Sequence, residues 1–380
     1  MIYLDSMSST PVHSLVEEKM RLCLGTEGCF ANPLSIHSFG QQAAALIDHA
    51  ACQVAEAVGC KKSQIHWTSG ATEANFWAIK TASQYSRQGR HIVSMATEHA
   101  SVLSALEMMR SEGFEVSYLM PEPNGQLDLN RLEAALRPDT VMVSLMLVNN
   151  ETGVIQPIAE ASRIIKKYGA VFHVDAAQAP GKMPVNFQAM GMDLMTLSAH
   201  KAYGPKGVGA LVAADHVHLG GWFNAYVRQV PLRSGTPPTH QIVGMGEAFQ
   251  HTVEHLEEHL ETIKTMRDCL WDGIEGLPGI FLNGDFHSQV PHCINFGFEH
   301  LDARALLYLL KDIMLSQGSA CLGERQEPSH VLRSMGLDSR LANQSIRLSL
   351  GAMNKPQDVL EVIDKIQASV HYLNKIAVKE

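Results

Sequence analysis

Two stretches constrain the fold of this chain more than any others: Val171-Phe172-His173-Val174-Asp175-Ala176-Ala177-Gln178 and Ser198-Ala199-His200-Lys201-Ala202-Tyr203-Gly204-Pro205-Lys206-Gly207. Each joins a short apolar or β-branched run to a polar end, the pattern of a buried parallel strand whose carboxyl end opens into a site. Around them the hydrophobic period alternates. Strand signals fall at 91–95, 116–120, 140–148, 171–175, 193–198 and 207–213, with helical signals at 100–112, 129–136 and 158–168 between them. Strands separated by helices of this length predict βαβ units and a mostly parallel sheet with helices on both faces. Ligands in such sheets bind beyond the carboxyl ends of the strands. Glu98-His99, Asn149-Asn150, Asp175 to Gln178 and His200-Lys201 each follow a strand, so all four can converge on one crevice.

Toward the N-terminus, an extended arm precedes Pro11, which opens the helical pattern Val12, Val16, Met20. Asn32-Pro33 marks a loop, and a helix from about Gly40 to Val58 follows. The strand Ile65-His66-Trp67-Thr68 runs through Ser69-Gly70-Ala71-Thr72-Glu73 into the helix Ala74 to Ser83. Such a small-residue turn points N–H groups and a positive dipole end outward, a setting for phosphate; taken alone, the turn is better accounted for by an ordinary cap from Ser69 or Thr72. After Gly235-Thr236-Pro237-Pro238 a long helical stretch, about His240 to Gly273, leads to a smaller α+β domain. The expected division is 13–250 for a large domain and 1–12 with 251–380 for a small one, as 380 residues allow.

Composition excludes several classes. With 46% hydrophobic and 18% charged residues the chain is globular. A net charge of −9 disfavours a broad nucleic-acid face. Asp5 arrives too early for a signal peptide and no apolar run spans a bilayer, so a cytosolic protein without membrane contact is expected. Seven cysteines lie far apart with no C-x-x-C pair, which suits reduced thiols. Cys293 in an apolar run reads as inert filler, whereas Cys321, in Gln317-Gly318-Ser319-Ala320-Cys321-Leu322-Gly323, sits in a glycine-bounded polar loop. His251, His255 and His259 share one helix face, where two imidazoles could hold a metal; the glutamates among them favour a solvated polar face, and no metal is expected.

Lys201 follows a buried-looking run, and burial lowers an amine's pKa toward the range where it forms a Schiff base. Asp175, ending a neighbouring strand, could pair with a pyridinium nitrogen, and the turn at Ser69 to Thr72 could cup a phosphate. Lys201, Asp175 and this turn are together far more specific than any one of them.

The segments Thr68-Ser69-Gly70-Ala71-Thr72-Glu73, Thr97-Glu98-His99, Val148-Asn149-Asn150-Glu151-Thr152-Gly153, His173 to Gln178, Ser198-Ala199-His200-Lys201, Arg233-Ser234-Gly235-Thr236, Gly318-Ser319-Ala320-Cys321 and Ser345-Ile346-Arg347-Leu348-Ser349-Leu350-Gly351 resemble, in order, the signatures of cysteine desulfurases of the class V aminotransferase family, NifS/IscS-like group. The resemblance implies the α/β fold of type I pyridoxal phosphate enzymes and a homodimer. It implies that Lys201 holds pyridoxal 5'-phosphate covalently, that Asp175 pairs with the ring nitrogen, that Gln178 bonds the ring hydroxyl, and that His99 stacks on the ring and moves protons. Ala71, Thr72, Ser198 and His200 would hold the phosphate, with Thr236 of the other subunit. Arg347 and Asn150, with Asn32, would bind the carboxylate of L-cysteine, a task suited to a guanidinium fork. Cys321 would be the nucleophile, leaving L-alanine and a persulfide for a protein sulfur acceptor.

Two segments depart from that pattern. Asn224 to Leu232 replaces a Gly-rich stretch, and Leu322-Gly323-Glu324-Arg325-Gln326 replaces small hydroxyl residues after the cysteine. Both fall on delivery surfaces and spare the cofactor residues, as does the absence of a longer tail after Glu380. They suggest a specialised acceptor, for which a DNA phosphorothioation system is one expectation; the alternative expectation is a general sulfur donor for iron–sulfur cluster assembly or tRNA thiolation. A selenocysteine lyase, an aminotransferase and a cofactor-free assembly subunit remain open alternatives.

Overall fold

The computed structural model describes residues 1–85, 87–220, 233–317 and 327–377. Cys321, the Asn224 to Leu232 stretch and Leu322 to Gln326 lie outside them. After a short strand β1 (Ile2–Tyr3), seven strands build the main sheet: β2 (Ile65–Thr68), β3 (His91–Met95), β4 (Glu115–Leu119), β5 (Thr140–Met146), β6 (Val171–Asp175), β7 (Leu194–Ser198) and β8 (Gly209–Ala213). Their spatial order is β2-β8-β7-β6-β5-β3-β4. The pairs from β7 to β4 are parallel, while β8 runs antiparallel to both of its neighbours.

The central strands are apolar on both faces because both faces are covered. Phe172, Val174, Met195 and Leu197 pack with Val54, Ile242 and Phe249 from the helices Ser38–Val58 and Thr239–Glu254. Val171 and Leu194 point the other way, onto Trp77, Ile79 and Leu106 of the helices Ala71–Lys80 and Ala100–Ser111. This period-2 division fixes the register, since a one-residue slip would exchange the faces. Phe172 is fully buried, and truncating such a side chain to alanine costs ~3–5 kcal/mol.

A second core joins the N-terminal strand to the C-terminal part of the chain. Here β9 (Ile280–Leu282), β10 (Cys293–Phe298) and, beyond β11 (Ile313–Met314), β12 (Ser345–Ser349) form an antiparallel sheet ordered β12-β10-β9, while β1 pairs in parallel with β11. Ile2 and Leu4 pack with Phe296, Leu348, Leu270 and Ile366. The arm is thus held at its start by this core, and the next residues are carried toward the carboxyl ends of the main sheet.

Local chemistry moves several boundaries. The first helix runs Ser14–Arg21 and starts at His13, whose Nδ1 accepts from Leu15 N, rather than at Pro11. The helix Ser38–Val58 ends at Gly59, whose φ of 64° suits glycine. The predicted long helix breaks at His255 into Thr239–Glu254 and Leu256–Ile274. His255 Nδ1 bonds the His251 carbonyl at 3.0 Å, so the side chain competes for a ladder acceptor. His13, His251, His255 and His259 lie ring against ring, with His13 and His251 centroids 4.1 Å apart, and no group of three or more metal-binding side chains occurs among the described residues. No helix among them is long and apolar enough to cross a membrane.

Candidate active site

The carboxyl ends of β2, β3, β5, β6 and β7 surround one cleft of about 400 Å³. Its walls carry Ala71, Thr72, His99, Asn150, Asp175, Gln178, Ser198, His200, Lys201 and Arg347. Five strand ends and the small core thus bring together almost all of the side chains singled out in the sequence.

The helix Ala71–Lys80 begins at Gly70, whose φ is 150°, and no side chain caps it. Ser69 and Thr72 do not act as caps, so the first-turn N–H groups and the dipole face the cleft, where an anion is stabilised. Beside them Glu73 accepts from Arg233 Nε at 3.0 Å and from Ser69 N at 2.7 Å. Burial raises its pKa, but these bonds outweigh it and hold the carboxyl below its ordinary range. His200 is pushed down to about 4 by burial and then by the charges of Lys201, Lys206 and Lys182, so it is neutral at pH 7 and offers a hydrogen bond without a charge.

Asp175, 4% exposed, accepts from Ala177 N at 3.0 Å and from Asn75 Nδ2 at 2.8 Å. Asn75 also donates to Ser101 Oγ at 2.9 Å, and Ser101 Oγ lies 2.8 Å from His99 Nδ1. His99 Nδ1 accepts from Ser101 N as the cap of the helix Ala100–Ser111, so its cap role and its place on the cleft wall coexist. Neither Asn75 nor Ser101 stands out in the sequence; both are ordinary polar residues in helices.

Lys201 Nζ donates to the carbonyls of Met7 and Ser8 at 2.8 and 2.6 Å. Lys182, fully buried, donates to the Lys201 carbonyl at 2.8 Å, and burial followed by the Lys201 charge lowers its pKa to about 7. Gln178 Nε2 donates to Met7 O at 2.8 Å while its Oε1 is buried without a partner. Arg347 reaches Asn150 O at 2.5 Å, Asp5 Oδ1 at 2.6 Å and Ser8 Oγ at 2.7 Å, and its Nε is buried without a partner. The N-terminal arm is therefore part of the site, a contribution invisible in its sequence because its partners Gln178, Lys201 and Arg347 lie at least 171 positions away.

Two expected residues lie elsewhere. Thr236 lines a neighbouring cleft with Trp67, Ser69, Gly207 and Arg233. Asn32 turns its Oδ1 onto Leu34 N at 2.9 Å and is not on the wall of the first cleft. Cys293, by contrast, is the inert thiol its apolar run predicts: it is wholly buried, and burial pushes its pKa up to about 12.

The walls fit pyridoxal phosphate. An uncapped helix start suits its phosphate, a buried carboxylate suits its ring nitrogen, the orphaned Gln178 Oε1 suits its hydroxyl, and Lys201, with Lys206 also on the wall, lines the same space.

The aminotransferase class-V family matches residues 2–362. A cysteine desulfurase IscS of Pectobacterium atrosepticum is 43% identical, with the alignment covering 99% of this chain and 94% of that protein. Among solved structures, a NifS-like protein superposes with a TM-score of 0.91 at 32% identity, covering 98% of this chain and all of the other. A structure described as SspA in complex with cysteine has a TM-score of 0.82 at 33% identity, covering 92% of this chain and 99% of the other. Together with the cleft at the strand ends, these findings show that the chain belongs to the class V aminotransferases, whose cofactor is pyridoxal phosphate.

Proposed function

We propose that this chain is a cysteine desulfurase that takes sulfur from L-cysteine onto Cys321 and releases L-alanine. The observation that carries the reading is the convergence of Lys201, Asp175, His99, Thr72 and Arg347 on one cleft. Its relatives support it: one is named a cysteine desulfurase, and another was solved with cysteine.

Lys201 would hold the cofactor covalently, the first-turn N–H groups of Ala71 and Thr72 with Ser198 and the neutral His200 would hold its phosphate, and Asp175 and Gln178 would hold its ring. When bound, pyridoxal phosphate supplies an electron-withdrawing ring that stabilises negative charge at the substrate's Cα. The bond from Ser101 N to Nδ1 directs proton exchange by His99 to Nε2. Arg347 and Asn150 would orient the substrate carboxylate, with Asn32 in reach only if its loop turns inward. The Cys321 thiolate would attack the substrate sulfur, the C–S bond would break, and a proton would be delivered to the carbon left behind, so that one cysteine and one thiol become one alanine and one persulfide.

The reading includes a homodimer. Leu22, Leu24, Phe30, Leu34, Ile36 and Phe39 are exposed along one segment, Ile36 at 93%, and this supports a covered face. Thr236, in the cleft next to this face, would reach the partner's phosphate site. We place the enzyme in the cytosol, consistent with its widely spaced cysteines, and expect no direct nucleic-acid binding at a net charge of −9. The departures at 224–232 and 322–326 support a dedicated acceptor, for which we favour a DNA phosphorothioation system; likeness to an enzyme named IscS supports a general sulfur supplier instead.

Incubation with L-cysteine followed by intact-mass analysis tests the core claim. One added sulfur lost in Cys321→Ser, with alanine formed only by the parent, is expected. Alanine formation intact in Cys321→Ser refutes the persulfide step, and a colourless protein that forms no alanine is a silent subunit. Transfer of labelled sulfur to candidate acceptors decides between the two destinations.

A further inference from the structure

Arg347 is already neutralised by the chain itself. Its side chain is 2% exposed and forms an ion pair with Asp5, whose carboxylate Oδ1 also accepts from Ser8 Oγ at 2.8 Å. A guanidinium can grip a carboxylate at two points in only two ways, through Nη1 with Nη2 or through Nε with Nη2. Both use Nη2. Here the two hydrogens of Nη2 go to Asp5 Oδ1 and Ser8 Oγ, Nη1 donates to Asn150 O, and Nε is left buried without a partner. A second carboxylate can engage this fork only if the arm lets go of Nη2.

We propose that Asp5 is an internal carboxylate that competes with the amino-acid carboxylate for Arg347, holding the guanidinium paired between turnovers and helping to expel the product. This inference deepens the proposed function and rests on its assignment of Arg347. A buried guanidinium left without a counter-charge in an empty cleft is costly, and Asp5 removes that cost at the expense of ligand affinity. The arm is suited to the task. It is fastened on one side by the β1–β11 pairing and by the Asp5–Ser349 bridge, and on the other by Thr10 N bonding the His200 carbonyl at 2.9 Å. Asp5 thus stands at the first of two anchors, at the start of the short span whose Met7 and Ser8 contact the reacting lysine.

The test is equilibrium binding of L-alanine and of ethylamine, which lacks the carboxylate, to the holoenzyme by calorimetry. Parent enzyme should bind alanine more tightly than ethylamine; equal binding removes Arg347 from the carboxylate site and overturns the proposed substrate site together with this inference. Given that preference, Asp5→Asn should bind alanine about five- to tenfold more tightly and ethylamine unchanged, because a competing negative charge is lost while the side-chain shape is kept. Ser8→Ala, which keeps the ion pair and frees one Nη2 hydrogen, should tighten alanine by about two- to threefold. Alanine affinity unchanged or weakened in both folded variants shows that Asp5 only positions Arg347 and overturns the proposal while leaving the substrate site intact.

Discussion

Asn75 binds Asp175 through one hydrogen of its amide, at 2.8 Å, and spends the other on Ser101, so that the carboxylate beneath the cleft and the imidazole on its wall share one support. Asn75, Asp175 and Ser101 are buried, and the low dielectric there strengthens the chain of bonds and penalises any gap in it. Asn75→Leu fills similar volume but leaves Asp175 Oδ2 and Ser101 Oγ without this donor. We expect alanine formation by the holoenzyme to fall by about ten- to a hundredfold, by analogy with lost second-layer partners. Stability should fall by ~1–3 kcal/mol in urea titration. Unchanged kinetics in a folded variant would show that Asp175 and His99 hold their places without it.

Residues at strand ends are legible in the sequence because a polar side chain that closes an apolar run stands where the sheet stops and a ligand can begin. Asp175, Lys201 and His99 stand out that way, and the sheet brings them together. Asn75 does not, because its direction depends on how the helix Ala71–Lys80 rotates over β6 and β7, which no local pattern states. Asp5 and Ser8 are hidden for a different reason: they meet Arg347 across 342 and 339 positions, through pairing between the two ends of the chain. The break at His255 escapes the sequence because helical periodicity continues through it, and only the side chain's bond to the His251 carbonyl reveals it. Thr236 lines the adjoining cleft of its own chain and not the first one.

Lys182 gives the protein a pH dependence on the alkaline side. The unfolded chain binds a proton at this lysine up to its ordinary value of 10.5, whereas the folded chain releases it near about 7. Between those values the unfolded state binds more protons, so this group's contribution to stability grows as pH rises, by at most ~1.4 kcal/mol per pH unit. Lys182→Met removes the effect. Urea unfolding at pH 7 and pH 9 should show the parent gaining stability relative to the variant, and a parallel response would place the lysine outside the buried environment.

The exposed stretch from Leu22 to Phe39 predicts the assembly state. Among the described residues Ile36 is 93% exposed and Phe39 56%. A charge in a dimer face must be desolvated, at a cost of several kcal/mol. Ile36→Asp together with Phe39→Asp should therefore shift sedimentation from dimer to monomer and weaken cofactor retention, since Thr236 would lose its neighbour. A parent protein that sediments as a monomer ends this assignment of the face.

His173 sets the acid limit. Its ring lies at the centre of the sheet, with Nδ1 2.8 Å from Ser144 Oγ and Nε2 3.1 Å from Thr196 Oγ1. Burial lowers its pKa from 6.5 to about 3, so the folded protein keeps it neutral where the unfolded chain would protonate it. The stability this represents is complete above pH 6.5 and is lost progressively as pH falls toward 3. His173→Gln keeps hydrogen-bonding capacity without a titrating ring. It should cost stability at pH 7.5, because no glutamine amide reproduces both bonds, yet the gap from the parent should narrow at pH 5, by up to ~1.4 kcal/mol per unit below 6.5. His200, lowered to about 4, responds in the same direction but is present in both proteins and cancels in the comparison. A gap that stays constant from pH 7.5 to 5 would mean that the imidazole gains a proton in the fold as readily as in the open chain.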